Sequence, residues 1–171
     1  MSYLKISMAI FLALATSRFI PHPPNFTSLI TLSFYVPIFF GIRFIPVVMF
    51  SFALTDFIIG FHSVMIFTWG SVLLIGLLIN FFYTNMIRRI LGVLVGAIIF
   101  FILTNFGVWM VSGYYEISLA GLISCYVLAI PFFSNTILAT IFFSTIIEFY
   151  IKFKEKKNLS FSNLKYKFFK N

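Results

Sequence analysis

The chain has 171 residues, 61% of which are hydrophobic and 9% charged, and its formal net charge is +8. Ordinary globular domains are about 45–50% apolar and roughly 25% charged, so this chain has too few polar side chains to cover a water-facing surface. Composition therefore excludes a soluble fold. In lipid, a helix satisfies its backbone hydrogen bonds internally, and we expect an all-α polytopic membrane bundle.

Apolar segments along the chain predict the transmembrane helices. A membrane-spanning helix needs about 20 mostly apolar residues. A further apolar stretch, Ile117 to Phe133, leaves the count open between six and seven. The other six candidate spans are residues 4–20, 26–42, 44–61, 64–83, 90–112 and 135–151.

Positive charge near the span ends decides the orientation, because cytoplasmic loops carry an excess of Lys and Arg. Six spans with the N-terminus inside leave one basic residue, Arg18, on the outer side, whereas seven spans would move the basic C-terminus outward. We therefore expect six transmembrane helices in the bacterial inner (cytoplasmic) membrane, with both termini cytoplasmic. Residues 117–133 then form an extra outer-face or re-entrant element that ends near Pro131. The basic residues expected inside are Lys5, Arg43, Arg88, Arg89 and those of the C-terminal tail.

The chain divides into one transmembrane helical domain, residues 1–151, and a basic cytoplasmic tail, residues 152–171. Seven of the twelve basic residues lie in this tail. Such a segment is attracted to anionic membrane lipids, and nucleic acid is not an expected partner because no folded basic domain accompanies the tail. At the other terminus, Lys5 and the run to Ala13-Leu-Ala15 also fit a cleavable signal peptide, whose loss would leave the remaining topology unchanged.

Asp56 is the most informative polar residue because it lies within a predicted span. A carboxylate at the centre of a membrane helix costs about 2.5–3.5 kcal/mol. We therefore expect Asp56 to face the bundle interior beside a partner, with Arg18 as the first candidate. Asp56 then forms either a structural ion pair or a carboxylate that orients a ligand. Glu148 and Lys152 are four residues apart and predict a simple ion pair on one helix face.

The six-span topology gathers polar side chains at the outer face, where they predict a ligand-binding site. Asn105 and Trp109 are four residues apart and share a helix face, which suits hydrogen bonding and stacking on a flat polar ligand. Trp109 and Tyr115 also fit the aromatic belt of a membrane interface, and His22 between two prolines is either a cap or part of a gate. The candidate ligand-binding residues are Arg18, His22, Asn25, Asp56, His62, Asn105, Trp109, Tyr115 and Asn135.

No motif of the chain supplies energy or covalent chemistry. Walker A, G-x-S-x-G, H-E-x-x-H and Rossmann sequences are missing. Cys125 is the only cysteine, and His22 and His62 form no zinc motif. We expect no catalytic residue, no cofactor and no metal, and active transport by this chain would need an ion gradient or a separate ATPase.

Five groups of motif residues stand out along the chain: Arg18-Phe-Ile-Pro-His-Pro-Pro-Asn-Phe-Thr27, Thr55-Asp56 with Gly60-Phe-His62, Thr104-Asn-Phe-Gly-Val-Trp109, Gly121-Leu with Cys125-Tyr126, and Ile130-Pro-Phe-Phe-Ser-Asn135. Together these motifs resemble those of an uncharacterised bacterial integral-membrane family of unknown function. They cover most of residues 9 to 145. One position departs from the family pattern, because Thr140 stands where we expect an acidic residue.

More distantly, the layout is similar to the substrate-binding S components of energy-coupling-factor vitamin transporters. This resemblance implies six spans, a ligand pocket near the outer face and a mobile first outer loop. It also implies that the first span docks on a transmembrane coupling subunit, which works with ATPases, through an Ala-x-x-x-Ala motif that Ala9 and Ala13 match. Small residues of this kind let another helix approach closely.

Three hypotheses of function follow from these observations. The first is an S-component-like membrane solute-uptake protein that binds a small polar or aromatic solute and relies on a separate energising partner. The second is a non-transporting scaffold or accessory protein of a membrane complex. The third is an integral-membrane enzyme with His22, Asp56 and His62 as acid–base groups, which would need all three within reach of one substrate position.

Overall fold

The computed structural model describes residues 3–156, and all regular secondary structure in this part of the chain is helical, with no strand. The tail expected at 152–171 lies outside the described residues from position 157 onward. A 3₁₀ turn, Ile42–Phe44, precedes the third helix. The α-helices of the described part are α1 Tyr3–Phe19, α2 Leu29–Phe40, α3 Ile45–Ile59, α4 Met65–Leu77, α5 Ile79–Phe82, α6 Met86–Val111 and α7 Leu119–Lys156.

The helices alternate in direction between two ends of the bundle. At one end, Arg18 at the close of α1 contacts the last turn of α3, and the start of α4 contacts that same turn through Trp69. At the other end, Arg89 near the start of α6 contacts Glu148 near the close of α7. We name these the Arg18 end and the Arg89 end. Helices α1, α3 and α6 therefore finish at the Arg18 end, where α2, α4 and α7 begin.

Helix α2 lies at the centre of the bundle and contacts every other helix. Nine of its twelve residues are buried, as expected for a helix that is hydrophobic all round and surrounded by protein. Its residues belong to both hydrophobic clusters of the core. One cluster joins α2 to α1, α3 and α4 through residues such as Leu14, Val36 and Val48, and the other joins it to α4 and α6 through Phe34, Ile75 and Ala97.

Two glycines of α6 allow close packing against the neighbouring helices. A Cβ atom at Gly92 would lie 2.5 Å from both the Phe34 ring and the Phe82 side chain. A Cβ atom at Gly107 would overlap the Phe67 ring of α4 in the same way. Small residues at helix contacts are a general feature of packing in membranes, where helices associate through close approach. Gly92 and Gly107 therefore set how closely α6 packs on α2 and α4.

Within residues 3–156, three helices are long and apolar enough to cross a membrane: Ile42–Ile59, Met86–Val111 and Leu119–Lys154. Two shorter apolar helices accompany them, Leu29–Phe40 and Met65–Leu77. Large hydrophobic side chains also cover the outside of the bundle, for example Ile66 with 82% of its surface exposed. Soluble monomers rarely expose apolar surface on this scale, so the fold fits the membrane class expected from composition.

The prediction that residues 117–133 form a separate element is wrong. From Leu119 onward these residues are the first part of α7, which continues through Pro131 without a break. A proline removes one backbone hydrogen bond, but it does not by itself end a membrane helix. Contacts to α6 hold α7 on both sides of Pro131: Tyr126 donates to the carbonyl of Ile102, and Glu148 binds Arg89. With 38 residues, α7 is about 57 Å long, nearly twice the roughly 30 Å hydrocarbon core of a bilayer.

Candidate functional site

A cavity of about 490 Å³ lies at the Arg18 end of the bundle. This volume falls in the range of small-molecule sites, roughly 300–1,000 Å³. Helices α1, α2, α3, α4, α6 and α7 all contribute to its wall, together with the loops that follow α1 and α3. The polar lining residues are Arg18, His22, Asn25, Thr27, His62, Thr68, Thr104, Asn105 and Thr136, and the aromatic ones are Phe52, Phe100, Phe101, Phe132 and Phe133.

The Arg18–Asp56 ion pair forms one boundary of the cavity. Nη2 of Arg18 lies 2.7 Å from Oδ1 of Asp56, and the pairing expected from the sequence is thereby confirmed. Asp56 is 1% exposed and does not line the cavity, whereas Arg18 is 15% exposed and does. Of the two charged groups, only the guanidinium is therefore available to a bound solute.

Trp69 of α4 completes the surroundings of the Asp56 carboxylate. Its indole Nε1 donates a 2.8 Å hydrogen bond to Oδ2 of Asp56, so each carboxylate oxygen has a partner. A buried charge is tolerated only when it is paired and hydrogen-bonded. Sequence reasoning missed Trp69, because it lies 13 residues from Asp56 in the next helix and the sequence alone does not show which face of α4 meets α3.

Arg18 is also held by α3 from a second direction. Its Nη1 donates to the hydroxyl of Thr55, and its guanidinium carbon lies 4.6 Å from the centroid of the Phe52 ring. A guanidinium over an aromatic face gains electrostatic attraction from the ring. These contacts fix the position of the Arg18 side chain before any solute arrives.

The loop between α1 and α2 covers the cavity near Arg18. Nδ1 of His22 lies 2.7 Å from the carbonyl oxygen of Pro23, and Nε2 lies 3.3 Å from that of Arg18. Asn25 adopts a positive φ of 63°, which Asn tolerates better than most residues. Asn135 of α7 donates a 3.0 Å hydrogen bond from Nδ2 to the carbonyl of Pro24. The loop is therefore connected to α7, and Asn135 contacts it from outside the cavity lining.

The α4, α6 and α7 walls present hydrogen-bond acceptors to the cavity. Nδ2 of Asn105 donates one of its two hydrogens to the carbonyl of Phe101, so its Oδ1 and the second hydrogen can still bond to a solute. The hydroxyls of Thr68, Thr104 and Thr136 likewise donate to carbonyls of their own helices. Because a hydroxyl oxygen keeps its lone pairs when its hydrogen is donated, each of these threonines can still accept. Sequence reasoning did not select them, since a lone Thr in an apolar helix is ordinary.

Trp109 and Tyr115, both expected at the site, lie outside the cavity lining. The indole of Trp109 donates a 3.0 Å hydrogen bond to the carbonyl of Glu116, and its ring lies 5.5 Å from Phe106. Tyr115 is half-buried in the turn between α6 and α7. Trp109 therefore stabilises this turn, and stacking of Trp109 on a ligand has no support in the geometry.

A second buried ion pair lies at the Arg89 end. Nε and Nη2 of Arg89 each donate a 2.6 Å hydrogen bond to Glu148, one to each carboxylate oxygen. The hydroxyl of Tyr35 in α2 donates to Oε1 of Glu148 at 2.8 Å. The expected Glu148–Lys152 pair is wrong, because Glu148 turns inward to Arg89 and is 1% exposed, while Lys152 is exposed. This contact joins α2, α6 and α7 at the end of the bundle opposite the cavity.

Ala9 and Ala13, the expected partner-contact residues, are exposed on α1. Met8 and Leu12 beside them are also exposed, at 56% and 58% of their surface. The opposite side of α1, with Ile10 and Leu14, packs into the core. This face of α1 is therefore open to lipid or to another helix.

The fold and the cavity define the class of the protein: a helical membrane protein with a partly polar cavity near one end of its bundle. The chain belongs to the family of unknown function DUF6580, which it matches over residues 2–160. This agrees with the resemblance to an uncharacterised family seen in the sequence motifs. No curated protein matches the chain significantly, and no solved structure does so.

Proposed function

We propose that this protein is a membrane solute-uptake protein of S-component type, which binds a small planar solute in the cavity at the Arg18 end. The observation that carries the proposal is the cavity itself, about 490 Å³ in volume and bounded on one side by a pre-positioned arginine. A wall that combines convergent polar groups with aromatic side chains is typical of small-molecule sites. The proposal places this end toward the outside of the cell.

The distribution of charge supports this orientation. Cytoplasmic segments of inner-membrane proteins are rich in Lys and Arg. Among the cations whose side chains the structure describes, only Arg18 belongs to the cavity end. Those at the Arg89 end are Lys5, Arg43, Arg88, Arg89, Lys152 and Lys154. The Arg89 end is therefore the cytoplasmic end in this proposal, and both termini are cytoplasmic.

The proposal has six membrane crossings, and the alternating helix directions support it. The crossings are α1, α2, α3, the α4–α5 unit, α6 and α7, so residues 119–133 belong to the last crossing as its outer part. Helices α2 and α4 are short for a membrane crossing. Because α2 is surrounded by other helices, its ends are shielded from lipid. This arrangement keeps the six spans expected from the sequence.

The cavity lining indicates the chemical class of the solute. Its described walls contain one guanidinium and several acceptor oxygens, and they contain no carboxylate. A matching solute carries an oxygen or carboxylate for Arg18 and N–H or O–H donors for Asn105 and the threonines. The phenylalanine walls favour a flat ring between these groups. We therefore propose a neutral or acidic heterocycle, with Asp56 acting only through Arg18.

An energising partner is part of the proposal, because no motif in this chain binds a nucleotide. The exposed Ala9 and Ala13 face of α1 is the proposed contact with a transmembrane coupling subunit that works with ATPases. Close approach along small residues is how such helices associate in membranes. The face is available for this contact, since no other helix of the described chain covers it.

Solute binding is tested by thermal unfolding of the purified chain with a panel of neutral and acidic heterocycles. We expect at least one compound to raise the melting temperature of the wild type. Ala129→Phe fills the cavity at a buried lining position and should abolish that rise. Leu128→Phe, at a neighbouring position that is 60% exposed, is the matched control and should preserve it. A panel without any effect on the wild type would contradict the proposal.

A non-transporting scaffold is the second candidate, and the two buried ion pairs favour it. Both Asp56 and Glu148 are fully engaged at helix contacts, as expected of structural groups. Cross-linking that recovers one stable membrane partner, with no coupling ATPase, would support this function. The enzyme hypothesis has less support, because Asp56 is bound to Arg18 and Trp69 and is not among the lining residues with His22 and His62.

A further inference from the structure

An apolar groove separate from the solute cavity lies between α1 and α3. Its volume is about 430 Å³, and it opens on the outside of the bundle. Ser7, Met8 and Phe11 form the α1 side, while the α3 side extends from Pro46 to Leu54. Phe50, 70% exposed, stands at its edge. The groove therefore faces the acyl chains of the membrane.

The groove covers only part of the membrane thickness. Nine residues from Pro46 to Leu54 rise by about 12 Å, which is close to one leaflet of a hydrocarbon core about 30 Å thick. A partner helix crossing the membrane needs a contact surface along its whole length, whereas one acyl chain of a single leaflet needs only this depth. The dimensions favour a lipid tail over a helix.

Two cations lie at the end of the groove that is nearest the Arg89 end of the bundle. Lys5 precedes Met8 by one turn of α1, and Arg43 precedes Pro46 by three residues. Both side chains are exposed. Arg43 is steadied by Phe44, whose ring lies 5.6 Å from its guanidinium carbon and stacks on Tyr3 at 4.6 Å. Positive charge therefore stands where a lipid headgroup would lie above the groove.

We propose that this groove is a binding site for an anionic phospholipid of the cytoplasmic leaflet. One acyl chain occupies the groove between α1 and α3, and the phosphate is held by Arg43 and Lys5. Basic residues at a membrane surface attract anionic lipid, and an arginine recognises a phosphate through paired hydrogen bonds. This site is independent of the solute cavity, which lies at the other end of the bundle.

Native mass spectrometry of the full chain, stripped of lipid and titrated with phosphatidylglycerol or phosphatidylcholine, tests the proposal. The wild type should retain more phosphatidylglycerol than phosphatidylcholine. Arg43→Gln should lower retention of phosphatidylglycerol about fivefold, since one basic residue near a membrane contributes roughly that factor, and should leave phosphatidylcholine unchanged. Arg88→Gln is the matched control, because Arg88 is exposed at the same end on α6.

A groove-filling variant tests the acyl chain separately. Ser7→Leu places a larger side chain into the groove and loses only an exposed hydrogen bond from its hydroxyl to the carbonyl of Tyr3. It should reduce retention of both lipids. Equal retention of the two lipids by the wild type would overturn the proposal, as would equal losses in Arg43→Gln and Arg88→Gln. Unchanged retention in Ser7→Leu would overturn the assignment of the groove.

Discussion

Arg18 and Asp56 form a 2.7 Å ion pair in which only the arginine reaches the cavity. The carboxylate is enclosed by α3 and α4, and it holds the guanidinium in position instead of meeting a solute. A buried acid in a membrane helix is commonly a functional group. In this chain the buried acid does not line the cavity, whereas its partner Arg18 does.

Removal of one member of this ion pair should destabilise the protein. Asp56→Asn leaves the Arg18 guanidinium without its counter-charge, and breaking a buried pair in this way costs about 3–5 kcal/mol. The double variant Arg18→Met with Asp56→Asn should be more stable than Asp56→Asn alone, because no unpaired charge remains. Thermal unfolding in detergent measures both effects. Additive losses in the double variant would contradict the coupling.

The two tryptophans should differ in their contribution to stability. Trp69→Phe leaves Oδ2 of the buried Asp56 without its donor, and an unsatisfied buried group costs about 1–3 kcal/mol. Trp109→Phe removes an exposed hydrogen bond to the carbonyl of Glu116, which water can replace. We expect the melting temperature to fall clearly for Trp69→Phe and little for Trp109→Phe. The reverse order would mean that Asp56 does not depend on Trp69.

Glu148 and Lys152 provide a similar contrast at the Arg89 end. Glu148→Gln removes the charge that binds Arg89 through two hydrogen bonds, and the expected loss is about 3–5 kcal/mol. Lys152→Gln changes an exposed side chain and should alter stability by less than about 0.5 kcal/mol. Unfolding of both variants in the same detergent gives the comparison. Similar losses of stability in the two variants would support the Glu148–Lys152 pair expected from the sequence.

Close packing of α6 on α2 predicts different effects of the same substitution at two glycines. Gly92→Ala forces a methyl group into the Phe34 ring, and overpacking costs about 1–3 kcal/mol. Gly70→Ala meets nothing within 4 Å, and alanine in a helix is about 1 kcal/mol more favourable than glycine. Gly92→Ala should therefore lower the melting temperature, and Gly70→Ala should preserve or raise it. A stable Gly92→Ala variant would show that α6 lies farther from α2.

One of the two buried ion pairs could be predicted from the sequence, and the other could not. The Arg18–Asp56 pair followed from cost and topology, since a buried carboxylate requires a cation and few were available. Glu148 was assigned to Lys152 because local spacing was the only guide, whereas its true partner Arg89 lies 59 residues away. The sequence does not specify how α7 rotates about its axis, and that rotation decides which cation Glu148 meets.

The position of the cavity could be predicted from the sequence, but the complete set of residues that line it could not. Arg18, His22, Asn25, His62 and Asn105 all line it, because topology alone places them at one end. Trp109 was expected there on helix periodicity, but the indole turns toward the carbonyl of Glu116. The continuity of α7 through Pro131 was also missed, since a proline marks a helix end in water more reliably than in a packed membrane bundle.

The most direct test of the solute cavity is native mass spectrometry of the full chain purified in mild detergent, without added ligand. We predict a small molecule that travels with the wild type. It should also travel with Asn80→Ala, an exposed position in α5, and should be lost from Asn105→Ala. A ligand-free mass that persists after incubation with a vitamin and nucleobase panel would contradict the proposed function, as would equal retention by both variants.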